Sequence, residues 1–295
     1  MNPKFVSTST LAILVTLFLL TPAQSETTTP APTDIDTQLM MATFRIEGPS
    51  ADGHNQSLGT IFIVGNPHPT KPNIGWHTLV TAAHVLKRIK GDDAVVYFRQ
   101  KLNNGNWVAV PTQIKIRRRG KPLWIEHSNN DVAAMYIRVP EEARFESIPM
   151  DMLANDDLLA KYNIHPGDVL DCLGYPFGIE ASAGSFPILR SGKIASYPLL
   201  PTKTTHSFLL DFRIFPGNSG GPVYINFMGD RNDDVGIGNM VFAFIMGLVS
   251  HEVTLDEGRE VEDRTYIGNT PVGLAKIVHA SFIRETISLL PLPSH

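Results

Sequence analysis

A serine stands among glycines and between two prolines in the stretch Phe215-Pro216-Gly217-Asn218-Ser219-Gly220-Gly221-Pro222. Proline fixes φ, whereas glycine permits positive φ and close approach of the backbone. The stretch therefore predicts a tight turn that presents one hydroxyl and several bare backbone N–H groups. Such groups are the parts of a nucleophile and its oxyanion site. Because a serine alone is a weak nucleophile, this hypothesis requires a base and an orienting acid elsewhere in the chain.

A candidate base and a candidate acid lie upstream of Ser219. One of the ten histidines ends an apolar strand in Thr81-Ala82-Ala83-His84-Val85, where small neighbours allow the imidazole to face a cleft. Asp131 opens a second apolar run, Val132 to Ile137. An unpaired buried carboxylate is costly, so Asp131 needs a partner. His84 and Asp131 are therefore the residues that could activate the serine.

The composition of the chain excludes several classes of protein. The 295 residues are 43% apolar and 18% charged with a net charge of −4, which is an ordinary globular balance. The basic run Lys115 to Lys121 has no interleaved aromatic residues, and it favours a solvated strand end over a nucleic-acid surface. The single cysteine, Cys172, permits no intramolecular disulfide and no thiolate metal cluster, and its apolar neighbours predict a buried residue.

The amino terminus is typical of a secretory signal. Lys4 precedes an apolar core from Leu11 to Leu20, and Ala23-Gln24-Ser25 offers small residues for cleavage, so residues 1–25 are the predicted signal peptide. The alternative, a membrane anchor, needs about 20 apolar residues. Residues 26–40 are rich in threonine and proline and predict a flexible linker. We expect an exported protein without stable membrane insertion, in the periplasm or outside a bacterial cell.

The rest of the sequence predicts short strands separated by turns. Strands at this spacing are typical of an all-β sandwich or barrel rather than of βαβ units. The pattern loosens between about residues 140 and 166, which predicts an internal boundary, and apolar residues reach helical spacing only in residues 276–290. The predicted strands are 43–47, 59–65, 77–81, 94–98, 107–110, 113–117, 132–139, 169–173, 188–197, 207–214, 222–226, 240–250 and 264–267.

The three motifs together resemble a known family. Thr81–His84, Asp131–Ala133 and Gly217–Pro222 are similar, in the same chain order, to the motifs of the trypsin-like (chymotrypsin-fold) serine proteases. Gly174-Tyr175-Pro176-Phe177-Gly178 resembles the bacterial HtrA-like branch, although we expect no PDZ domain here. The resemblance implies a protein or peptide substrate and no cofactor, metal or nucleic acid.

The resemblance also implies an architecture. It is an all-β fold of two six-stranded antiparallel Greek-key β-barrels with a C-terminal α-helix, in one protease domain. The implied boundaries are residues 41–295 for the domain, about 41–145 for the N-terminal barrel, about 165–275 for the C-terminal barrel and about 276–290 for the helix.

Residue roles follow from the resemblance at the matching positions. Ser219 would attack the scissile carbonyl, His84 would take its proton, and Asp131 would orient the imidazole. The N–H groups of Gly217 and Ser219 would bind the oxyanion. Ser250 would hydrogen-bond near Asp131, and its neighbour Val249 would belong to the strand beside the substrate backbone.

Specificity and activation are less well defined by the sequence. Asn218 stands where animal members carry an acid that receives a new N-terminus, so we expect no such activation. Arg213 lies where the family often sets the floor of the S1 pocket, and it would favour an acidic P1 residue. Glu252 would narrow the pocket or pair with Arg213, and either side chain could instead face solvent.

Three other interpretations are weaker. Gly217 to Gly221 also matches the G-x-S-x-G elbow of α/β-hydrolase esterases, but that motif requires a following helix, and the sequence after Pro222 favours a strand. Residues 230–236 are acidic, but an EF-hand loop that begins at Asp230 needs glycine and glutamate where Val235 and Val241 stand. This leaves at most a loose calcium site. A silent, protease-like binding module would be expected to lack a member of the triad, and none is missing.

Overall fold

The structure is a computed structural model that describes residues 34–50, 56–68, 71–229, 240–255, 260–261, 264–265 and 270–293. The predicted signal peptide and the calcium loop at 230–236 lie outside the described residues. Within those ranges, no helix has both the length and the apolar character needed to cross a bilayer.

The described elements are mostly strands, as the sequence predicts. The strands are β1 Thr43–Pro49, β2 Gln56–His68, β3 Lys71–Thr81, β4 Asp93–Lys101, β5 Trp107–Lys115, β6 Arg117–Arg118, β7 Lys121–Pro122, β8 Ile125–Glu126, β9 Ala133–Tyr136, β10 Ile148–Pro149, β11 Val169–Gly174, β12 Ile188–Ile194, β13 Ser207–Asp211, β14 Pro222–Gly229, β15 Met240–Leu255, β16 Glu260–Val261, β17 Arg264–Thr265 and β18 Thr270–His279. The α-helices are α1 Ile35–Ala42, α2 Ala83–Arg88, α3 Asp156–Lys161, α4 Thr202–Thr205 and α5 Ala280–Ser288, and short 3-10 turns cover Met150–Met152 and Pro176–Gly178.

The N-terminal half differs from the expected six-stranded barrel. Its sheet has eight strands in the order β5-β4-β1-β2-β3-β9-β8, and the described strands form an open path. The eighth strand, β10, pairs with β2 in parallel, against the antiparallel prediction, because buried Ile148 draws the chain onto β2 beside Val64. The predicted strands 107–110 and 113–117 are one strand, since Pro111 is tolerated on the edge strand β5.

The C-terminal half forms the predicted barrel. Six strands close in the order β11-β12-β13-β18-β15-β14. Cys172 is buried in β11, and burial raises the pKa of its thiol to about 12, which fits the predicted packing role. Two-residue β16 and β17 pair with each other outside the barrel.

The N-terminal segment of the domain is not the flexible linker predicted up to residue 40. Residues 35–42 form α1, because the Asp34 side chain caps the helix by accepting from Thr37 N at 2.9 Å. The helix buries Leu39 and Ala42 against the core. Its Asp36 also accepts a hydrogen bond from Tyr224 Oη of the C-terminal barrel at 2.8 Å. Five of the eight helical residues are apolar, so the threonine- and proline-rich composition that predicts the linker does not extend into this segment.

The C-terminal helix begins later than predicted. It covers Ala280–Ser288 rather than residues 276–290, because residues up to His279 belong to β18. There Ile277 lies opposite both Phe208 of β13 and Val249 of β15, so leaving the strand would open the barrel. The apolar face that the helical spacing predicts is buried, with Phe282, Ile283 and Ile287 between 0% and 3% exposed.

Candidate active site

His84 is placed at the start of α2, directly after β3. Its neighbours Ala82 and Ala83 are buried at 0% and 1% exposure, so the chain packs closely here while the imidazole projects from it. The Nδ1 atom of His84 lies 2.7 Å from Asp131 Oδ2. The backbone N–H of His84 donates to the other carboxylate oxygen, Oδ1, at 3.0 Å. Both the ring and the backbone of His84 are therefore bound to one carboxylate.

Asp131 lies just before β9 and accepts a third hydrogen bond, from Ser250 Oγ at 2.6 Å. Burial alone would raise the pKa of Asp131. The hydrogen bonds and charge of His84, with the hydrogen bond from Ser250, outweigh burial and hold that pKa well below its ordinary value. The carboxylate is therefore ionised at neutral pH.

The hydrogen-bond chain continues to a histidine that the sequence analysis does not single out. His251 Nδ1 lies 2.9 Å from Ser250 Oγ. Because the single Ser250 proton goes to Asp131, His251 must donate to Ser250 through Nδ1–H. Its position next to Ser250 is the only signal of this contact in the sequence.

Four successive carbonyl groups of the serine loop, from Pro216 to Ser219, accept hydrogen bonds. Phe177 N donates to Pro216 O at 2.7 Å, and Gly221 N donates to Asn218 O at 3.0 Å. Thr60 supplies the other two bonds, from Oγ1 to Gly217 O at 2.6 Å and from N to Ser219 O at 2.9 Å. Each peptide unit of the turn is thus fixed in orientation.

The N–H groups of the same loop divide into bonded and unbonded ones. Asn218 N donates to Phe215 O at 3.0 Å, and Gly220 N donates to Val249 O at 2.8 Å. Within the described part of the chain, the N–H groups of Gly217 and Ser219 donate to no protein acceptor. Since the Pro216 carbonyl is turned to Phe177, the N–H of Gly217 on the same planar trans peptide points the opposite way.

Gly217 cannot be replaced by a larger residue in this conformation. Its φ is +98°, and a Cβ atom would lie 2.1 Å from the carbonyl oxygen of Tyr175. The close packing of these two backbone segments is the reason that the turn needs a glycine at this position.

The Ser219 hydroxyl points toward Ser250 of strand β15. Its Oγ donates to Ser250 O at 3.0 Å, and among the described residues no hydrogen bond joins it to His84. Ser219 thus lies beside the residue that also contacts Asp131.

The residues predicted to bind substrate differ in their burial and in their contacts. Arg213 Nε lies 3.9 Å from Glu252 Oε1, an ion pair too long for a hydrogen bond, with the Arg213 side chain 61% exposed. Ser250 is held within the hydrogen-bond chain of Asp131. Val249 is fully buried, and both its N–H and its carbonyl bind the loop at Gly221 and Gly220. Val249 therefore supports the loop, Ser250 is buried beside Asp131, and Arg213 and Glu252 form a loose ion pair with Arg213 exposed.

A closed β-barrel stands beside a second sheet, and hydrogen bonds connect His84 and Asp131 through Ser250 to Ser219, an arrangement that fits a trypsin-like protease. The Trypsin-like peptidase domain family model matches residues 59–229, which is more than half of the chain, and the chain belongs to this family. It is also similar to Exfoliative toxin A of Staphylococcus aureus, with 24% identity over 171 residues. That match covers 57% of this chain, and the chain spans about half the length of the toxin, 56%.

Solved structures resemble the chain more distantly. The protease Anisep from Arthrobacter nicotinovorans has a TM-score of 0.44 and 13% identity, over 83% of this chain and 93% of that one. Deg5 has a TM-score of 0.47 and 16% identity, over 87% of this chain and 91% of that one.

Proposed function

We propose that the protein is a serine endopeptidase that hydrolyses peptide bonds through an acyl-enzyme intermediate. Ser219 Oγ attacks the scissile carbonyl carbon while His84 takes the serine proton. His84 then gives this proton to the leaving amine, and the peptide C–N bond breaks. Water repeats the sequence on the ester and releases the acid product. Asp131 keeps the proton of His84 on Nδ1, so that Nε2 is free to accept.

The N–H groups of Gly217 and Ser219 stabilise the oxyanion that forms at each addition step. A fixed donor of this kind costs no reorganisation during the reaction, and losing one typically lowers kcat by about 100- to 1,000-fold. The other N–H groups of the turn are engaged in hydrogen bonds, so these two are the donors available to a substrate.

One combination of features carries the proposal. A histidine bound to a carboxylate by its ring and its backbone lies in the same site as a serine whose loop leaves two N–H groups unbonded. A binding module that had lost catalysis would have no need for this set of oriented groups. The esterase elbow is disfavoured, because the turn leads into the strand β14 and not into a helix.

The proposal extends to export. Residues 1–25 act as a cleaved signal peptide, and residues 26–33 join it to a protease domain whose first described helix begins at Ile35. The mature enzyme then acts on protein or peptide substrates in the periplasm or outside the cell, without a cofactor. Cell fractionation with N-terminal sequencing tests this: mature protein beginning near Glu26 supports it, and full-length protein in the cytoplasm contradicts it.

The enzymatic proposal is tested with wild type, Ser219→Ala and Ser288→Ala. Ser288 is an exposed serine on α5 and serves as the matched control. Wild type and Ser288→Ala should cleave casein and take up a fluorophosphonate probe, whereas Ser219→Ala should do neither. Absence of both cleavage and labelling in folded wild type would contradict the enzyme assignment. Labelling that persists in Ser219→Ala would contradict the choice of nucleophile.

A further inference from the structure

Thr60 connects the two halves of the site through hydrogen bonds to the serine turn. It lies on β2 of the eight-stranded sheet and is fully buried. Its backbone N–H binds the carbonyl of Ser219 at 2.9 Å, and its hydroxyl binds the carbonyl of Gly217 at 2.6 Å. The other two carbonyl groups of the turn are held from within the C-terminal half. Among the hydrogen bonds of the described residues, those of Thr60 are the ones that join the serine turn to the sheet preceding His84 and Asp131.

Thr60 is itself fixed by the segment that leads to His84. Thr81 Oγ1 donates to Thr60 O at 2.7 Å, and Thr81 is the last residue of β3 before the Ala82-Ala83-His84 sequence. Two hydroxyl groups therefore join the base-carrying segment to the nucleophile-carrying turn. This chain passes through the buried interface and does not involve solvent.

The Gly217 carbonyl needs a partner because glycine leaves it free to rotate. Gly217 has φ of +98°, and a glycine visits many φ and ψ values at small cost. The Gly217–Asn218 peptide lies between the two peptides that carry the Gly217 and Ser219 N–H groups, so its rotation would change the orientation of these N–H groups relative to each other. The hydroxyl of Thr60 at 2.6 Å opposes this rotation.

We propose that Thr60 is a positioning residue for acyl transfer: its hydroxyl holds the Gly217 carbonyl, so that the Gly217 and Ser219 N–H groups meet the oxyanion and Ser219 is aligned with His84. This inference rests on the proposed peptidase function. It concerns a side chain that touches neither the substrate nor the reacting atoms. Its effect on the rate is exerted through the geometry of the turn.

Two substitutions separate the hydroxyl from the shape of the side chain. Thr60→Val keeps the shape and the backbone N–H but removes the hydroxyl, and Thr60→Ser keeps the hydroxyl. Misplacement of reacting groups by about 1 Å costs on the order of 100-fold in rate. We expect Thr60→Val to lower kcat on a peptide substrate by about 10- to 100-fold, with KM within about twofold, and Thr60→Ser to stay within about threefold of wild type.

A peptide aldehyde provides a readout that a purely structural role would not change. Its carbonyl adds the Ser219 oxygen to give a tetrahedral adduct, whose oxygen lies where the oxyanion forms. The Ki of the aldehyde should rise in Thr60→Val by about the factor lost in kcat/KM. The Kd of the matching peptide alcohol, which cannot form the adduct, should be unchanged.

Thr78→Val is the matched control. Thr78 is equally buried on the adjacent strand β3, and among the described residues its hydroxyl has no hydrogen-bond partner. This variant should keep the wild-type kcat and aldehyde Ki. If Thr60→Val does not fold, Thr60→Cys replaces it, because a thiol fills the site but donates weakly; its kcat should then fall below that of Thr60→Ser.

The outcomes distinguish the two proposals. Wild-type kcat and aldehyde Ki in folded Thr60→Val, or equal losses in the serine and valine variants, would overturn the role of Thr60 while leaving the peptidase function intact. A wild type that neither cleaves peptide nor labels with fluorophosphonate would instead overturn the peptidase function.

Discussion

Ser250 donates its only hydroxyl proton to Asp131, with Oγ 2.6 Å from Oδ2, and on its other side it meets His251 Nδ1 at 2.9 Å. Hydrogen bonds thus connect four residues in a chain: His84, Asp131, Ser250 and His251. The same Ser250 accepts the Ser219 hydroxyl on its backbone oxygen at 3.0 Å. Ser250 therefore contacts both the acid and the nucleophile of the proposed triad.

Ser250→Ala removes one of the hydrogen bonds that keep Asp131 ionised. The pKa of Asp131 should rise toward its ordinary value, and the imidazole of His84 should be less firmly oriented. We expect kcat/KM to fall by about tenfold, since one hydrogen bond to a charged group contributes about 1.5–3 kcal/mol. Steady-state kinetics at pH 7.5 check this, with Ser288→Ala as the control. An unchanged kcat/KM would show that Ser250 does not support Asp131.

The local motifs indicate the residues of the proposed triad, but they do not indicate the residues that support them. Short sequence motifs indicate the proposed chemistry of His84, Asp131 and Ser219 without knowledge of the fold. Thr60 lies within a stretch that indicates only a strand, and its partner Gly217 is 157 residues away in sequence. No local pattern records a hydrogen bond of that separation.

The boundaries that were wrong have a common physical cause. The residues before Ala280 fit helical spacing, but in the folded chain they complete a barrel between β13 and β15. The predicted threonine- and proline-rich linker extends to residue 40, but Asp34 caps a helix from Ile35 that packs on the core. In both places a tertiary contact decides the structure, and propensity is a weak guide there.

Gly217→Ala should remove most of the activity. The new Cβ would meet the Tyr175 carbonyl oxygen at 2.1 Å, so the turn must move and its N–H groups with it. We expect kcat to fall by at least about 100-fold, the loss typical of one oxyanion donor. Gly167→Ala is the control, because Gly167 has an almost equal φ of +97° with no atom within 4 Å of its Cβ position. Equal activity of the two variants would contradict this prediction.

Arg99 should be a major determinant of stability. It is fully buried, and its guanidinium donates to the carbonyl groups of Met40, Thr43 and Ser185 and to the Tyr175 hydroxyl. It therefore joins α1 and β1 to the C-terminal half. Burial lowers the pKa of Arg99, but these acceptors compensate its charge.

Arg99→Met would leave those acceptors buried and unbonded. We expect the free energy of unfolding to fall by about 3–5 kcal/mol, as for other broken buried polar networks. Urea unfolding followed by circular dichroism measures it. Arg118→Met, at an exposed arginine, should change it by less than about 0.5 kcal/mol. A loss of that small size in Arg99→Met would refute the prediction.

Glu252 should mask a preference for acidic P1 residues. It lies 3.9 Å from Arg213, so the pair presents little net charge to a substrate. Glu252→Gln leaves the guanidinium uncompensated at nearly constant shape. We expect kcat/KM for glutamate over alanine at P1 to rise by about fivefold, because partly exposed charge pairs contribute at most about 1 kcal/mol. A peptide library measures the ratio. The gain should disappear in Arg213→Gln/Glu252→Gln, and a gain that persists would exclude Arg213 from the pocket.

Stability should decline in acid because of His279. This residue is 1% exposed at the junction of β18 and α5. Burial is the main cause that lowers its pKa from 6.5 to about 4, with Asp156 opposing the shift and His206 adding to it. Above pH 6.5 the imidazole is neutral in both the folded and the unfolded chain. As the pH falls from 6.5 toward 4, the unfolded chain binds a proton that the folded chain does not, so folding stability decreases.

The size of this effect follows from the two pKa values. Each pH unit between pH 6.5 and pH 4 lowers the free energy of unfolding by about 1.4 kcal/mol. His279 should therefore lower it by about 3 kcal/mol between pH 7 and pH 4. His279→Gln keeps a polar group near Thr205, which lies 3.4 Å from Nε2, but it does not titrate. Urea unfolding at pH 7 and pH 4.5 should therefore show a loss in wild type that exceeds the loss in the variant by about 2–3 kcal/mol. Equal losses would mean that His279 takes up its proton as readily in the folded chain as in the unfolded one.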